Sequence, residues 1–256
     1  MVSAQKGSSP NQVMRTGARS HIRQAIEGRK ESDLLIAGYY LYIPFVAVAF
    51  AILGGALFLV LVPNIAGVAF AYLVIYSIIF AVCAILNYKL MHRLNAHFRR
   101  EALLRAGLLE MLRQDAEAAR SVKVETHIAT IESLNQDAFN HEKSRAEMIA
   151  PMAAIPIIGI VFGLLSLRSL TGADASHDRR WHVLLNQMQE AYRGLGRDIM
   201  LDPGHDVPRR SFAAYAIVSL LLFPFLAYWY HVLIRDVNAH FQAQWAVEDE
   251  LAKQLL

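Results

Sequence analysis

The sequence predicts an all-α, polytopic membrane protein, with four transmembrane helices forming two tandem (parallel-repeat) hairpins and with cytoplasmic helical extensions. Three observations predict this class. Leu34–Tyr88 runs for 55 residues without Asp, Glu, Lys or Arg, too long for one span of about 20 residues and suited to two spans with a turn. Two further uncharged runs, Met148–Leu167 and Ser211–Ile234, have span length. The tetrapeptide Asn-Ala-His-Phe occurs twice, at Asn95–Phe98 and Asn238–Phe241, each time just beyond an apolar run. Composition agrees, since the chain is 55% hydrophobic against about 45–50% in soluble domains.

Residues 1–33 form a basic arm, expected to be an amphipathic helix around Val13–Ile26. The arm is polar and does not read as a cleavable secretory signal, so the first span would serve as an uncleaved insertion signal. Arg15, Arg19, Arg23, Arg29 and Lys30 suit anionic lipid. No aromatic residue is interleaved among them, so a nucleic-acid partner is not expected. Residues 34–91 form the first transmembrane hairpin, turning at Val62-Pro63-Asn64, where proline presets φ and asparagine tolerates turn geometry. Residues 92–147 form a helical hairpin. Its first helix carries an apolar face at Leu104, Leu108, Met111 and Leu112 and ends around Ala119–Val124. Its second helix, Glu125–Met148, returns to the membrane. Asp137 and His141 lie one turn apart there, with His127, Glu132 and Glu142 nearby. The paired Glu-x-x-His pattern of a bundle metal site is missing, so a solvated polar face is expected.

Residues 148–234 form the second hairpin, with an amphipathic helix inserted at 173–202. Its apolar face is Trp181, Leu184, Leu185, Met188, Tyr192, Leu195 and Ile199, and Pro203-Gly204 ends it. It is expected to be a structural cap or a partner surface. Residues 235–256 form a C-terminal cytoplasmic helix.

Lys and Arg counts set orientation. The arm and the central segment are rich in them and the first inter-span turn has none, which puts the N-terminus and residues 92–147 in the cytoplasm; four spans bring the C-terminus to the same side, although its tail carries only Arg235 and Lys253. Arg168–Arg210 also carries seven, yet four spans place it outside. A re-entrant Met148–Leu167 is the alternative. Tyr39, Tyr40 and Tyr42, and Tyr228, Trp229 and Tyr230, would form aromatic belts at the inner interface.

An offset of 112 lays Ile43-Pro44 on Ile155-Pro156. An offset of 143 lays Ala71-Tyr72 on Ala214-Tyr215 and one tetrapeptide on the other. Both copies would share one orientation, unlike the inverted repeats of many transporters. The expected role of Asn95, His97, Phe98, Asn238, His240 and Phe241 is packing between the two units. A metal shared by His97 and His240 is the sharper alternative, though His92 and His97 do not share a helix face. Tyr72 and Tyr215 would meet near a pseudo-two-fold axis.

Walker, dinucleotide, GxSxG and HExxH motifs are absent. The spans carry no charge of the kind pumps and intramembrane enzymes use. Cys83 is the one cysteine, so the chain cannot form an internal disulfide. Tyr228-Trp229-Tyr230 followed by Arg235-Asp236-Val237-Asn238-Ala239-His240 resembles small multi-pass membrane proteins of prokaryotes that have no assigned function. That resemblance implies no functional residue. The expectation is a non-enzymatic structural, accessory or assembly protein of the cell membrane, without catalytic residues, metal or cofactor. Its partners would be the lipid bilayer and either further copies of itself or other membrane subunits. A small-solute channel or transporter built on the duplicated hairpin is the alternative.

Overall fold

The computed structural model describes residues 10–62, 64–142, 146–155, 158–204 and 206–256. Residues 1–9 of the arm, Pro63 of the first turn and Pro156 of the repeat lie outside them. The fold is all-helical, with no strand among the described residues. In chain order the helices are α1 (Pro10–Glu27), α2 (Arg29–Ser32), α3 (Ile43–Leu61), α4 (Ile65–Ala119), α5 (Glu125–His141), α6 (Ala146–Ile149), α7 (Ile158–Gly194), α8 (Phe212–Leu221) and α9 (Phe225–Leu255). Short 3₁₀ turns at Gly38–Leu41 and Ala150–Ala154 precede α3 and α7.

Helices α3 and α4 form the first hairpin. Asn64 caps α4, its side chain accepting the Gly67 N–H at 2.7 Å. At 19 residues, α3 is about 28 Å long, close to the hydrocarbon thickness of a bilayer. Phe50, Leu53, Val60 and Leu61 lie on its open surface. The 55 residues of α4 span about 83 Å. Its apolar first half pairs with α3, and its second half continues unbroken into the polar bundle. Arg120 ends it in the left-handed conformation (φ 47°), and the Ser121 N–H returns to the Ala116 carbonyl.

Three helical segments are long and apolar enough to cross a membrane: Gly38–Leu61, Ile65–Ala119 and Ile158–Gly194. The fourth run does not form one span-length helix. Ser211–Ile234 breaks at Leu222–Pro224 into α8, of 10 residues, and the start of α9. Pro224 cannot donate to the preceding turn and disfavours helix in the residue before it. The two pieces fold back antiparallel: Phe212 and Tyr215 pack on Trp229 at 5.7 and 5.6 Å between ring centroids, and Arg210 reaches Asp236 at 2.6 Å. The hairpin tip, Phe223, reaches the cleft between α3 and α4.

Met148–Leu167 is not one helix either. A 3₁₀ turn opened by Pro151 folds back beside α7, so that a Cβ on Gly159 would lie 2.4 Å from the Ala153 carbonyl oxygen. Glu147 entering this segment sits against His92 and Asn95. Leu167 and Leu170 leaving it join the same cluster as Leu90 and Leu94. The segment therefore leaves that level of α4 and returns to it.

The amphipathic insertion is a continuation of α7, not a separate helix at 173–202. It ends at Gly194, earlier than Pro203-Gly204, because Gly196 takes φ 76° and the Arg197 N–H closes on the Tyr192 carbonyl. Ile199 and Leu201 remain buried on the irregular chain beyond it. Trp181, Leu185, Met188 and Tyr192 are fully buried against Leu104, Leu108 and Leu112 of α4 and Ala18 and Ile22 of α1, in a core closed by Val247 and Leu251 of α9. One core thus holds residues of this segment and of 92–147 together.

Helices α4 and α9 run parallel. Asn87 meets Tyr230 at 2.9 Å and His97 meets His240, both pairs separated by 143 positions. Helix α7 runs the same way, through His97–His177 and Asp115–Tyr192 contacts. Trp229 and Tyr230 are buried, with Trp229 donating to Thr171 Oγ1 at 3.1 Å. They are core residues rather than an aromatic belt, because the break at Pro224 puts them in the first turns of α9; only Tyr228 stays exposed.

Candidate functional site

Where α4, α7 and α9 run side by side, just beyond the apolar segments, the interior turns polar. His97 and His177 are 0% exposed and His240 2%. One ring nitrogen from each lies within 4.8 Å of one from each of the others. The repeated tetrapeptide supplies His97 and His240, and both Phe98 and Phe241 pack into the cluster. Phe241 stacks on His97 at 4.4 Å between centroids, and Phe98 lies 4.8 Å from His177.

Each imidazole has its own carboxylate. His97 Nδ1 donates to Asp33 at 3.0 Å, His177 Nδ1 to Glu142 at 3.0 Å, and His240 Nδ1 approaches Asp178 at 3.2 Å. A carboxylate only accepts, so Nδ1 carries the proton and Nε2 of a neutral ring carries a lone pair. His97 Nε2 and His177 Nε2 are 3.2 Å apart. Glu101, one turn after His97, brings Oε2 to 2.7 Å from His177 Nε2 and 3.5 Å from His97 Nε2, without the alignment of a hydrogen bond. His240 Nε2 is buried without a hydrogen-bond partner.

Ion pairs surround this centre. Arg100 Nε and Nη2 donate to the two oxygens of Asp33 at 3.2 and 2.8 Å, and its Nη1 donates to Glu248 at 2.7 Å. Trp245 Nε1 also donates to Asp33, at 2.8 Å. Arg105 bridges Glu101 and Glu142 at 2.9 and 2.6 Å, and Arg180 reaches Glu142 at 3.1 Å. Asp33, Glu101, Glu142 and Glu248 are thus paired with Arg100, Arg105 and Arg180, while Asp178 lies against His240.

The titration behaviour follows from this geometry. Burial alone would push His177 down, but Glu101 and Glu142 lift it to about 9. Burial pushes His240 down to about 4, with the Asp178 contact opposing and the other two imidazoles assisting. Burial would raise Asp33 and Glu101, yet His97 and Arg100 hold Asp33, and Arg105 and His177 hold Glu101, well below the usual carboxylate range. Glu248 is the exception, because burial outweighs Arg100 and lifts it to about 7.

Sequence reasoning named His97 and His240 and missed His177. The signal was present, since His177 starts the very stripe that continues through Trp181, Leu184, Leu185 and Met188. Glu142 was read as part of a solvated face but is buried, while Asp137 and His141 of that group are exposed. Asn238 pairs with the Ile36 backbone, accepting its N–H at 3.2 Å and donating to its carbonyl at 2.9 Å, and also accepts from Arg93. Asn95 donates to Glu147 at 2.5 Å. Tyr72 and Tyr215 show no ring contact with each other among the described residues. Tyr72 stacks beside Tyr76 and lines a 350 Å³ cleft between α3 and α4, whereas Tyr215 packs among Phe225, Tyr228 and Trp229. That cleft is walled almost entirely by apolar side chains, and Tyr215 is not in its lining.

Comparison with protein-family models, with curated proteins and with solved structures finds no match to this chain, so its reading rests on its own residues.

Proposed function

We propose that this is a non-enzymatic integral membrane protein acting as an accessory or assembly subunit, through helix packing with itself or with a larger membrane complex. The observation that carries the reading is an inverted distribution of polarity. The α3–α4 hairpin exposes Phe50, Leu53, Val60, Leu61, Ile65 and Phe70, a surface far larger than soluble monomers leave open. The charged groups, by contrast, are folded inward and paired with one another. A site whose charges are consumed by internal pairing holds helices together and offers no group to a substrate.

In this reading α3 and the first half of α4 cross the bilayer. The segment before α7 and the α8–α9 hairpin dip into the same leaflet and return, giving one full hairpin and two half-depth ones. All polar segments then lie on one side, which the single core shared by α1, α4, α5, α7 and α9 supports. The Lys and Arg residues of 168–210 then obey the positive-inside rule, with both termini cytoplasmic in the cell membrane. The parallel 143-residue register of α4 against α9 supports a duplicated hairpin whose second copy has shortened its spans.

Cysteine accessibility in a Cys83→Ala background tests the topology. Ile65→Cys should react with an impermeant maleimide on intact cells, and Glu190→Cys should react only after lysis. Labelling of Glu190→Cys from outside would reject the arrangement. Purification from native membranes in mild detergent tests the role: a lone monodisperse monomer contradicts an assembly function.

A further inference from the structure

We infer that His97, His177 and His240, with Glu101 as fourth ligand, form a closed structural site for one divalent transition-metal ion of the zinc class. The inference concerns the polar cluster alone and does not depend on the accessory role.

Three features of the cluster carry it. Each imidazole sits on a separate carboxylate through Nδ1: His97 on Asp33, His177 on Glu142, His240 on Asp178. This carboxylate–histidine pairing orients and polarises metal-ligating imidazoles and leaves Nε2 as the ligand atom. The spacing of the His97, His177 and Glu101 atoms fits as well, and a ring nitrogen of His240 lies within 4.8 Å of one from each of the other two imidazoles. Tetrahedral zinc with nitrogen and oxygen ligands at about 2.0–2.1 Å requires ligand atoms roughly 3.3 Å apart. The observed separations are 3.2 Å for His97 Nε2–His177 Nε2, 2.7 Å for His177 Nε2–Glu101 Oε2 and 3.5 Å for His97 Nε2–Glu101 Oε2.

Hydrogen bonding alone does not satisfy these atoms. A lone pair on His177 Nε2 facing a carboxylate oxygen at 2.7 Å is repulsive unless a proton or a metal lies between them. One proton relieves that contact and leaves His240 Nε2 fully buried with no partner. A metal bound by all four atoms satisfies every one of them at once.

Three imidazoles and one carboxylate suit zinc and its neighbours cobalt and manganese. They do not suit calcium or magnesium, which take oxygen ligands, or copper(I), which takes sulfur. All four ligand residues are buried, and closed four-ligand sites are structural while catalytic ones keep an open position. The ion would pin α4, α7 and α9 to one another, with Asp33 adding the chain that leads into α3.

The test uses the full chain, purified in detergent with its affinity tag removed, from cells grown in zinc- or cobalt-supplemented medium. One equivalent of metal by elemental analysis is expected, together with the visible d–d bands of tetrahedral cobalt. X-ray absorption on zinc-loaded protein should show three imidazoles and one oxygen ligand. His240→Gln and His177→Gln should lose the metal. Asp178→Asn, which removes only the carboxylate behind His240, should weaken affinity by about 10- to 100-fold. His182→Gln, in the neighbouring Asp178–His182–Asp206 group, should leave metal content unchanged. Wild-type protein free of metal from both media overturns the proposal. So does full metal content in His240→Gln, or an absorption spectrum without histidine ligands. If the histidine variants do not fold, the wild-type metal content and absorption spectrum decide.

Discussion

Arg100 is the most exacting residue for the claim that the polar cluster holds the bundle together. Its guanidinium grips both oxygens of Asp33, on the chain entering α3, and one oxygen of Glu248 on α9. Arg100→Met keeps most of the volume and removes the charge. In the wild type burial lifts Glu248 to about 7 against the opposing pull of Arg100; the variant removes that pull, so Glu248 takes up a proton and buried Asp33 loses its two-pronged cation. Breaking a buried pair by removing one partner costs about 3–5 kcal/mol. Asp33 keeps the His97 and Trp245 hydrogen bonds, which places the expected loss near the lower end, about 3 kcal/mol. For a chain of this size that is a fall in Tm of roughly 6–12 °C. The assay is thermal unfolding in detergent, followed by helical circular dichroism. Arg100→Met/Glu248→Met should recover part of the loss, because a well-packed apolar replacement of a buried pair is often neutral. A loss below about 1 kcal/mol, the range of exposed ion pairs, would refute the reasoning. A double variant less stable than Arg100→Met would refute it as well.

Other outcomes follow from particular contacts. Glu248 has its folded pKa raised to about 7 from 4.5. The folded state therefore binds the extra proton between these values, and this contribution is full below pH 4.5 and lost as pH rises through about 7. Glu248→Gln should flatten that part of the stability–pH curve, and an unchanged slope would assign it to another group. Gly107 sits where α1 crosses α4, and a Cβ there would meet Ile22 Cγ1 at 2.9 Å and the Ala18 carbonyl oxygen at 3.2 Å. Gly107→Leu should cost about 1–3 kcal/mol or more, and protection of α1 amides in hydrogen exchange should fall with it. Trp181→Ala removes a fully buried indole from the core joining α7 to α4 and α1 and should cost about 3–5 kcal/mol by the same unfolding assay. An unaltered Tm would mean that this core is not cooperative with the rest.

Several elements were legible in the sequence because local signals suffice for them. The uncharged stretch and its capped turn give α3 and the start of α4. The absence of a breaker after Tyr88 carries α4 through Asn95–Phe98 into the polar bundle. The stripe from Trp181 to Tyr192 gives a buried face. Two elements were misread because a local breaker was passed over. Pro224 divides Ser211–Ile234 into α8 and α9, and the Pro151 turn folds Met148–Ala154 back beside α7. Length and hydropathy do not separate a crossing helix from two short ones that dip and return. The candidate site was half legible: duplication marked His97 and His240 as equivalent, whereas His177 and Glu142 look like ordinary polar positions of amphipathic helices.

The sequence by itself determined that the chain is helical and that it carries helices long and apolar enough to cross a membrane, because propensity and hydropathy are local. Only the tertiary structure decided that α4, α7 and α9 run parallel and in register. It alone brings three imidazoles and their carboxylates from five separate parts of the chain to one buried point. The reason is physical. A buried ionisable group is stabilised only by the partners that surround it, and those partners are selected by packing across the bundle rather than by neighbours along the chain.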